Sequence, residues 1–265
     1  MTTTPIRVIV HAGFHKTGTT SLQDFLYQNK SSLAPYMAYY GKMDFLDAGT
    51  QARIYAQRPF PHRLIKFRYA FRAFLENIPD HSMIVLSRET FSGGMPGHHT
   101  LSGRLMTSYQ RPAKRLAKVV ISELRRRFGP SAEITFFYTT RERESWLRSV
   151  YGHLLRSIRI TDDYVSFRAR FPKLLGPEAE AQKLARALSP VPVMMAALED
   201  YSSAREGPAA ALLDLMAIPP ELRSSLRPIS RQNTANTAAT QAEFLRLNRE
   251  IKSKAKLKAA KAALL

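Results

Sequence analysis

The run Ile6-Arg7-Val8-Ile9-Val10-His11, followed at once by Ala12-Gly13-Phe14-His15-Lys16-Thr17-Gly18-Thr19-Thr20-Ser21, decides the fold. The first part is apolar and β-branched, as a buried strand is. Beyond Ser21, Leu22, Phe25 and Leu26 recur at helical spacing, so the segment reads as strand, glycine loop and helix. Backbone N–H groups at a helix N-terminus lack intrahelical partners and sit at the positive end of the dipole, which makes such a loop an anion cradle. Gly13 and Gly18 permit the torsions and close approach that it needs, and Thr19 and Thr20 add hydroxyl donors. The nucleotide-triphosphate pattern places lysine directly after the second glycine, whereas Lys16 stands two residues before Gly18, so that pattern is not met.

Working outward, three further apolar runs read as buried strands: Met83–Leu86, Ile134–Tyr138 and Val191–Ala196. Helical spacing over Thr20–Asn29, Arg63–Asn77, Pro112–Phe128 and Trp146–Ile158 alternates with them. The expected class is therefore α/β, a parallel sheet flanked by crossover helices, in one domain over 1–265. Ligands of such sheets bind beyond the carboxyl ends of the strands. Asp44–Pro61 and Ser92–Pro112 read as irregular, the latter because of its glycines, and are candidate lids or acceptor loops. A tail helix is expected over about 240–265, its lysines Lys252, Lys254, Lys256, Lys258 and Lys261 forming a solvated face.

After the third run stands Thr139-Thr140-Arg141-Glu142-Arg143-Glu144-Ser145-Trp146-Leu147-Arg148-Ser149-Val150-Tyr151. Arg141 falls at a strand's carboxyl end and Ser149 two helical turns later. A guanidinium fork matches phosphate oxygens, and a serine hydroxyl adds a donor.

Gly13, Lys16, Gly18, Thr19 and Thr20 resemble the phosphosulfate loop G-x-x-K-x-G-[ST]-[ST] of the sulfotransferases that use 3′-phosphoadenosine 5′-phosphosulfate (PAPS). Arg141, Ser149 and Tyr151 are similar to the arginine, serine and x-Tyr with which that family holds the 3′-phosphate, although Arg143 stands where the family commonly has proline. The resemblance implies the family's P-loop-like sheet and transfer of a sulfuryl group to a hydroxyl or amine of a glycan, lipid or small molecule, leaving 3′-phosphoadenosine 5′-phosphate (PAP). It also implies 5′-phosphosulfate on Thr17–Thr20, the 3′-phosphate on Arg141 and Ser149, and Lys16 stabilising charge on the leaving oxygen. Glu89, at the end of the second run, stands where glycan-modifying members keep a base; its bland alternatives are an ion pair with Arg88 or a cap. His15 is the rival base, or a packing group. The segment Arg231–Thr237 loosely resembles a donor-covering loop, an N-capped turn being the equal alternative.

Tyr164, Phe167 and Phe171 read as core, and Trp146 as packing its helix on the sheet. His98-His99 lacks further ligands at metal-site spacing, so no metal is expected and acceptor contact or solvation is preferred. The absence of cysteine excludes disulfides and thiolate chemistry and, with no signal-peptide pattern, suggests a cytoplasmic protein. The net charge of +19, from 40 Lys and Arg against 21 Asp and Glu, implies a polyanionic partner, whether nucleotide, acidic glycan, anionic lipid or nucleic acid; charge alone does not choose among these, and peripheral contact with anionic surfaces is one expectation. Two other function classes stand beside the sulfotransferase. One is a nucleotide-dependent kinase, for which only Glu199 and Asp200 offer a carboxylate pair; the other is a basic polyanion-binding module, which lacks any nucleic-acid motif, so no specific nucleic-acid binding is expected.

Overall fold

Strand β1 (Arg7–His11) occupies the centre of a parallel sheet and pairs on both sides, with β3 (Met83–Ser87) and β4 (Glu133–Thr140). The edges are β2 (Ala38–Tyr40), beside β3, and β5 (Val193–Ala197), beside β4, which gives the order β2-β3-β1-β4-β5. This computed structural model describes residues 5–229 and 237–264. The α/β class with a helix-flanked parallel sheet is thus the observed one.

The central strands are apolar on both faces because each face is covered by helices. On one face Val8, Val10, Ile84, Leu86, Ile134, Phe136 and Tyr138 join the larger core. On the other, Ile9, Met83, Val85 and Phe137 join the smaller, the period-two alternation of a strand. In chain order the helices are α1 (Thr19–Gln28), α2 (Lys30–Leu33), α3 (Leu46–Gln57), α4 (Pro61–Glu76), α5 (Gln110–Phe128) and α6 (Arg143–Ser157). They continue as α7 (Tyr164–Ala169), α8 (Pro177–Leu188), α9 (Ala209–Leu215), α10 (Pro220–Ser225), α11 (Ala238–Glu250) and α12 (Lys254–Ala262). Helices α3 to α6, α8 and α11 supply the larger core, and α1 and α9 the smaller. Phe167 and Phe171 are buried in the larger core with Tyr164 packed against it, as the sequence indicated. No helix among the described residues is long and apolar enough to cross a membrane.

Three expectations need correction. Asp44–Pro61 is not irregular: it contains α3, whose mid-helix Gly49 disguises it. A Cβ there would lie 2.1 Å from Arg88 Nε, so the glycine makes room for a buried guanidinium. Strand β5 is not buried, because it is an edge, and Met194 and Met195 are exposed. The tail is two helices rather than one, and Lys261 is not on a wet face. It is 6% exposed and its Nζ donates to the carbonyls of Leu155 and Ile158 at the C-terminus of α6. Those last-turn carbonyls have no intrahelical partner and sit at the negative end of the dipole, so a lysine there both caps and neutralises.

Candidate functional site

The chain leaves β1 into a loop whose backbone is held in left-handed conformations, φ being +27° at Gly13, +69° at Lys16 and +87° at Gly18. A non-glycine residue in that region costs on the order of 1 kcal/mol, and such strain persists only where its surroundings enforce it. Here the enforcing contacts are visible. Phe14 is fully buried between the rings of Tyr109 and Tyr138, with centroids 4.6 and 4.8 Å away. Trp146 Nε1 donates to the carbonyl of His15 at 2.9 Å, so this indole does more than pack α6 on the sheet. Thr17 Oγ1 donates to the carbonyl of Phe14 at 2.7 Å and lies 3.0 Å from Thr139 Oγ1.

That last contact joins the two motifs, because Thr139 stands two residues before Arg141. Gly18 is the N-cap of α1 and offers no side chain to its first turn. Among the described residues, the backbone N–H groups of Lys16 to Ser21 make no hydrogen bond; Leu22 N–H to Gly18 O begins the helical ladder. Unpaired donors on an αL-containing turn at a helix N-terminus form a nest for an anion. The residues present therefore fit a phosphate or phosphosulfate group.

Arg141 follows β4 directly, and its Nε donates to Ser145 Oγ at 2.9 Å. With Arg143 in the place of the proline, the turn is fixed by Glu142, which caps α6 by accepting from Glu144 and Ser145 N–H, both at 2.7 Å. Its own N–H donates to Glu199 Oε1 at 3.1 Å, which gives that carboxylate a structural use. Ser149 is half-buried on α6, and His153 and Arg156 lie on the same helical face by spacing. Tyr151 is turned away: buried against Tyr164 and Phe167, it donates to the carbonyl of Asp162 at 2.9 Å.

Glu89, half-buried just past β3, makes neither an Arg88 ion pair nor a side-chain cap. It is positioned from α1 instead: Gln23 Nε2 donates to Glu89 Oε2 and to Ser87 Oγ, both at 3.2 Å, and Ser87 Oγ is 2.7 Å from His11 Nδ1. Burial pushes the Glu89 carboxyl up, but His15, its own backbone N–H, Gln23 and Arg88 together hold it below the usual carboxylate range. His15 stacks on Tyr109, whose hydroxyl is 3.4 Å from its Nδ1. Burial brings His15 down to about 4, with Glu89 opposing and His98 and Lys16 assisting. At neutral pH the pair is a carboxylate beside a neutral imidazole.

Lys16 lies lower than an ordinary lysine because of burial and then the charges of Arg156 and Arg141. His153 is brought to about 4 by burial, with Lys16, Arg156, His98 and His15 contributing. Lys16, Arg141 and Arg156 therefore concentrate positive charge around the loop. Sequence reading missed Gln23, His153 and Arg156, because nothing local marks a residue whose importance comes from the element packed opposite. His98 is half-buried toward this cluster whereas His99 is exposed. Among the described residues, no group of three or more His, Asp and Glu is arranged to hold a metal ion. Residues 231–236 of the expected donor-covering loop lie outside the described residues, and Thr237 caps α11 by accepting from Thr240 N–H at 3.1 Å.

No protein-family model matches the chain, and no curated protein sequence does. Among solved structures it is similar to retinol dehydratase, crystallised in complex with androsterone and inactive cofactor PAP. The match covers 100% of this chain and 80% of that one at 12% identity with a TM-score of 0.37, a distance at which the likeness does not bear on function.

Proposed function

We propose that this chain, read as one unit over 1–265, is a PAPS-dependent sulfotransferase. The observation that carries the reading is the junction of the two motifs. Unpaired N–H groups of Lys16 to Ser21 and the lysine itself sit on a strained turn that Thr17 ties, at 3.0 Å, to the strand end bearing Arg141. One dianionic end of a donor is served by the turn, and the other by Arg141 and Ser149.

When bound, the donor supplies a sulfuryl group on an S–O bond whose breaking returns PAP. An acceptor oxygen forms the new S–O bond as the old one to the 5′-phosphate breaks, and the acceptor's proton must leave. Glu89 is the group proposed to take it, being ionised at neutral pH and oriented by Gln23. His15, neutral beside it, is the second candidate. Lys16 and the loop N–H groups stabilise the charge that grows on the leaving oxygen, an effect strongest where the donors are fixed beforehand, as the buried Phe14 and Trp146 fix this turn. The acceptor in this reading is a hydroxyl or amine of a glycan, lipid or small molecule.

Thermal-shift measurements with PAP, ATP–Mg²⁺ and RNA test the reading, since a ligand that prefers the folded state raises its melting temperature. PAP alone should stabilise in the presence of chelator. Stabilisation by ATP–Mg²⁺ and not PAP would transfer the loop to a kinase, and stabilisation by RNA alone would make the chain a polyanion-binding module.

A further inference from the structure

Helices α4 and α5 pack side by side over the larger core, and their outward faces carry charge of one sign. On α5, Arg111, Lys114, Arg115, Lys118 and Arg125 are exposed, at the spacing of a single helical face. Each of the two helices contains one carboxylate, and both are consumed. Glu123 is 2% exposed and engages Arg72 at 2.8 Å, Arg126 at 3.0 Å and Arg68 at 3.6 Å; Glu76 pairs with Arg126 at 2.8 Å. Lys66, Lys114 and Lys118 have no ion pair among the described residues.

The same face is also apolar. Phe60, Ile65 and Tyr69 are 55%, 48% and 61% exposed, although Phe67, Phe71 and Leu75 on the other side of α4 are buried. Between the helices runs a groove of about 380 Å³ floored by Pro61, Leu64, Ile65 and Val119 and rimmed by Arg68, Arg115 and Lys118. A polyanionic glycan or nucleic acid would use the charges and leave the aliphatic groove without a partner. An anionic bilayer uses both, because apolar side chains enter the acyl boundary while lysines and arginines meet the headgroups.

We propose that the α4–α5 face is a peripheral docking surface for anionic lipid bilayers. Charge at the headgroups recruits the protein and Phe60, Ile65 and Tyr69 embed. The face belongs to helices that carry no proposed donor ligand, so its test is independent of PAP binding. The basic tail, to which the sequence pointed, contributes only Lys252, Lys254, Lys256 and Lys258 as exposed lysines over its two short helices.

The experiment is co-sedimentation of the full chain with vesicles of phosphatidylserine in phosphatidylcholine, and with phosphatidylcholine alone, over a range of salt. The expected result is retention on the anionic vesicles that weakens as salt rises. Each removed cation costs about fivefold in binding. The exposed triple variant Lys66→Ala/Lys114→Ala/Lys118→Ala should therefore bind about a hundredfold less tightly with its melting temperature unchanged. Ile65→Ser/Tyr69→Ser should also weaken vesicle binding while leaving retention on heparin intact. Binding to heparin or RNA without binding to vesicles would overturn the proposal in favour of a polymer. So would undiminished vesicle binding by both variants, or loss of binding on Lys254→Ala/Lys258→Ala instead.

Discussion

Replacing Gly13 with alanine tests whether the loop's shape, rather than its charge alone, holds the donor. At φ +27° alanine pays a left-handed penalty of about 1–2 kcal/mol. Its Cβ would also stand 2.5 Å from Thr19 Cγ2 and 2.9 Å from His11 Nε2. Neither neighbour can retreat easily: His11 is fully buried and bonded to Ser87, and Thr19 is buried in the first turn of α1. Overpacking of this kind costs about 1–3 kcal/mol, so the total is about 2–5 kcal/mol, or roughly 4–10 °C in melting temperature for a chain of this size. Because the clash pushes on the turn that presents the N–H groups, PAP affinity by calorimetry should fall at least about tenfold. Gly103→Ala is the control, since φ is +77° there and an added Cβ meets nothing within 4 Å. It should cost a few degrees and leave PAP affinity unchanged. If Gly13→Ala lost no more stability than Gly103→Ala and bound PAP within twofold of the parent, the loop argument would be wrong.

Lys16→Ala should lower turnover by orders of magnitude while Arg141→Ala chiefly weakens donor binding, because only the first is proposed to face charge that develops during reaction; steady-state kinetics with an accepted substrate separates them. Stability should fall as pH drops from about 6.5 toward 4. His11, His15 and His153 all lie near 4 when folded, so the unfolded chain binds more protons in that window. For the fully buried His11 alone the effect approaches about 3 kcal/mol; equal melting temperatures at pH 7.5 and pH 5 would count against this. Lys261→Ala should cost about 1–3 kcal/mol by stranding the carbonyl of Ile158, while that of Leu155 keeps its bond from Asn248 Nδ2, and Lys258→Ala almost nothing, as chemical denaturation will show.

What was legible in the sequence was what the backbone itself dictates. The β1 run alternates between two buried faces, and the glycines at 13 and 18 mark a turn that only their torsions permit, so strand, loop and helix could be placed. Arg141 and Ser149 were readable for the same reason, as positions on a strand end and a helix face. Contacts made across the fold were not. Gly49 looks like a breaker until Arg88 is seen lying against it, and Lys261 looks solvated until α6 ends beside it. Strand β2 has three residues, too few for a period to register. Gln23 became interpretable only when α1 and the end of β3 were brought together, where it holds Glu89. Tyr151 shows the opposite error: its spacing matched a binding motif, but its ring is committed to the core.

The central claim is that one loop and one strand end grip two phosphates of the same nucleotide. Calorimetry of the parent and of Arg141→Ala with PAP and with AMP, which lacks the 3′-phosphate, tests it in excess chelator. The parent should bind PAP at micromolar or tighter affinity and AMP at least about tenfold more weakly, with that preference abolished in Arg141→Ala. Equal affinity of the parent for PAP and AMP, or a PAP preference that survives in Arg141→Ala, would contradict it.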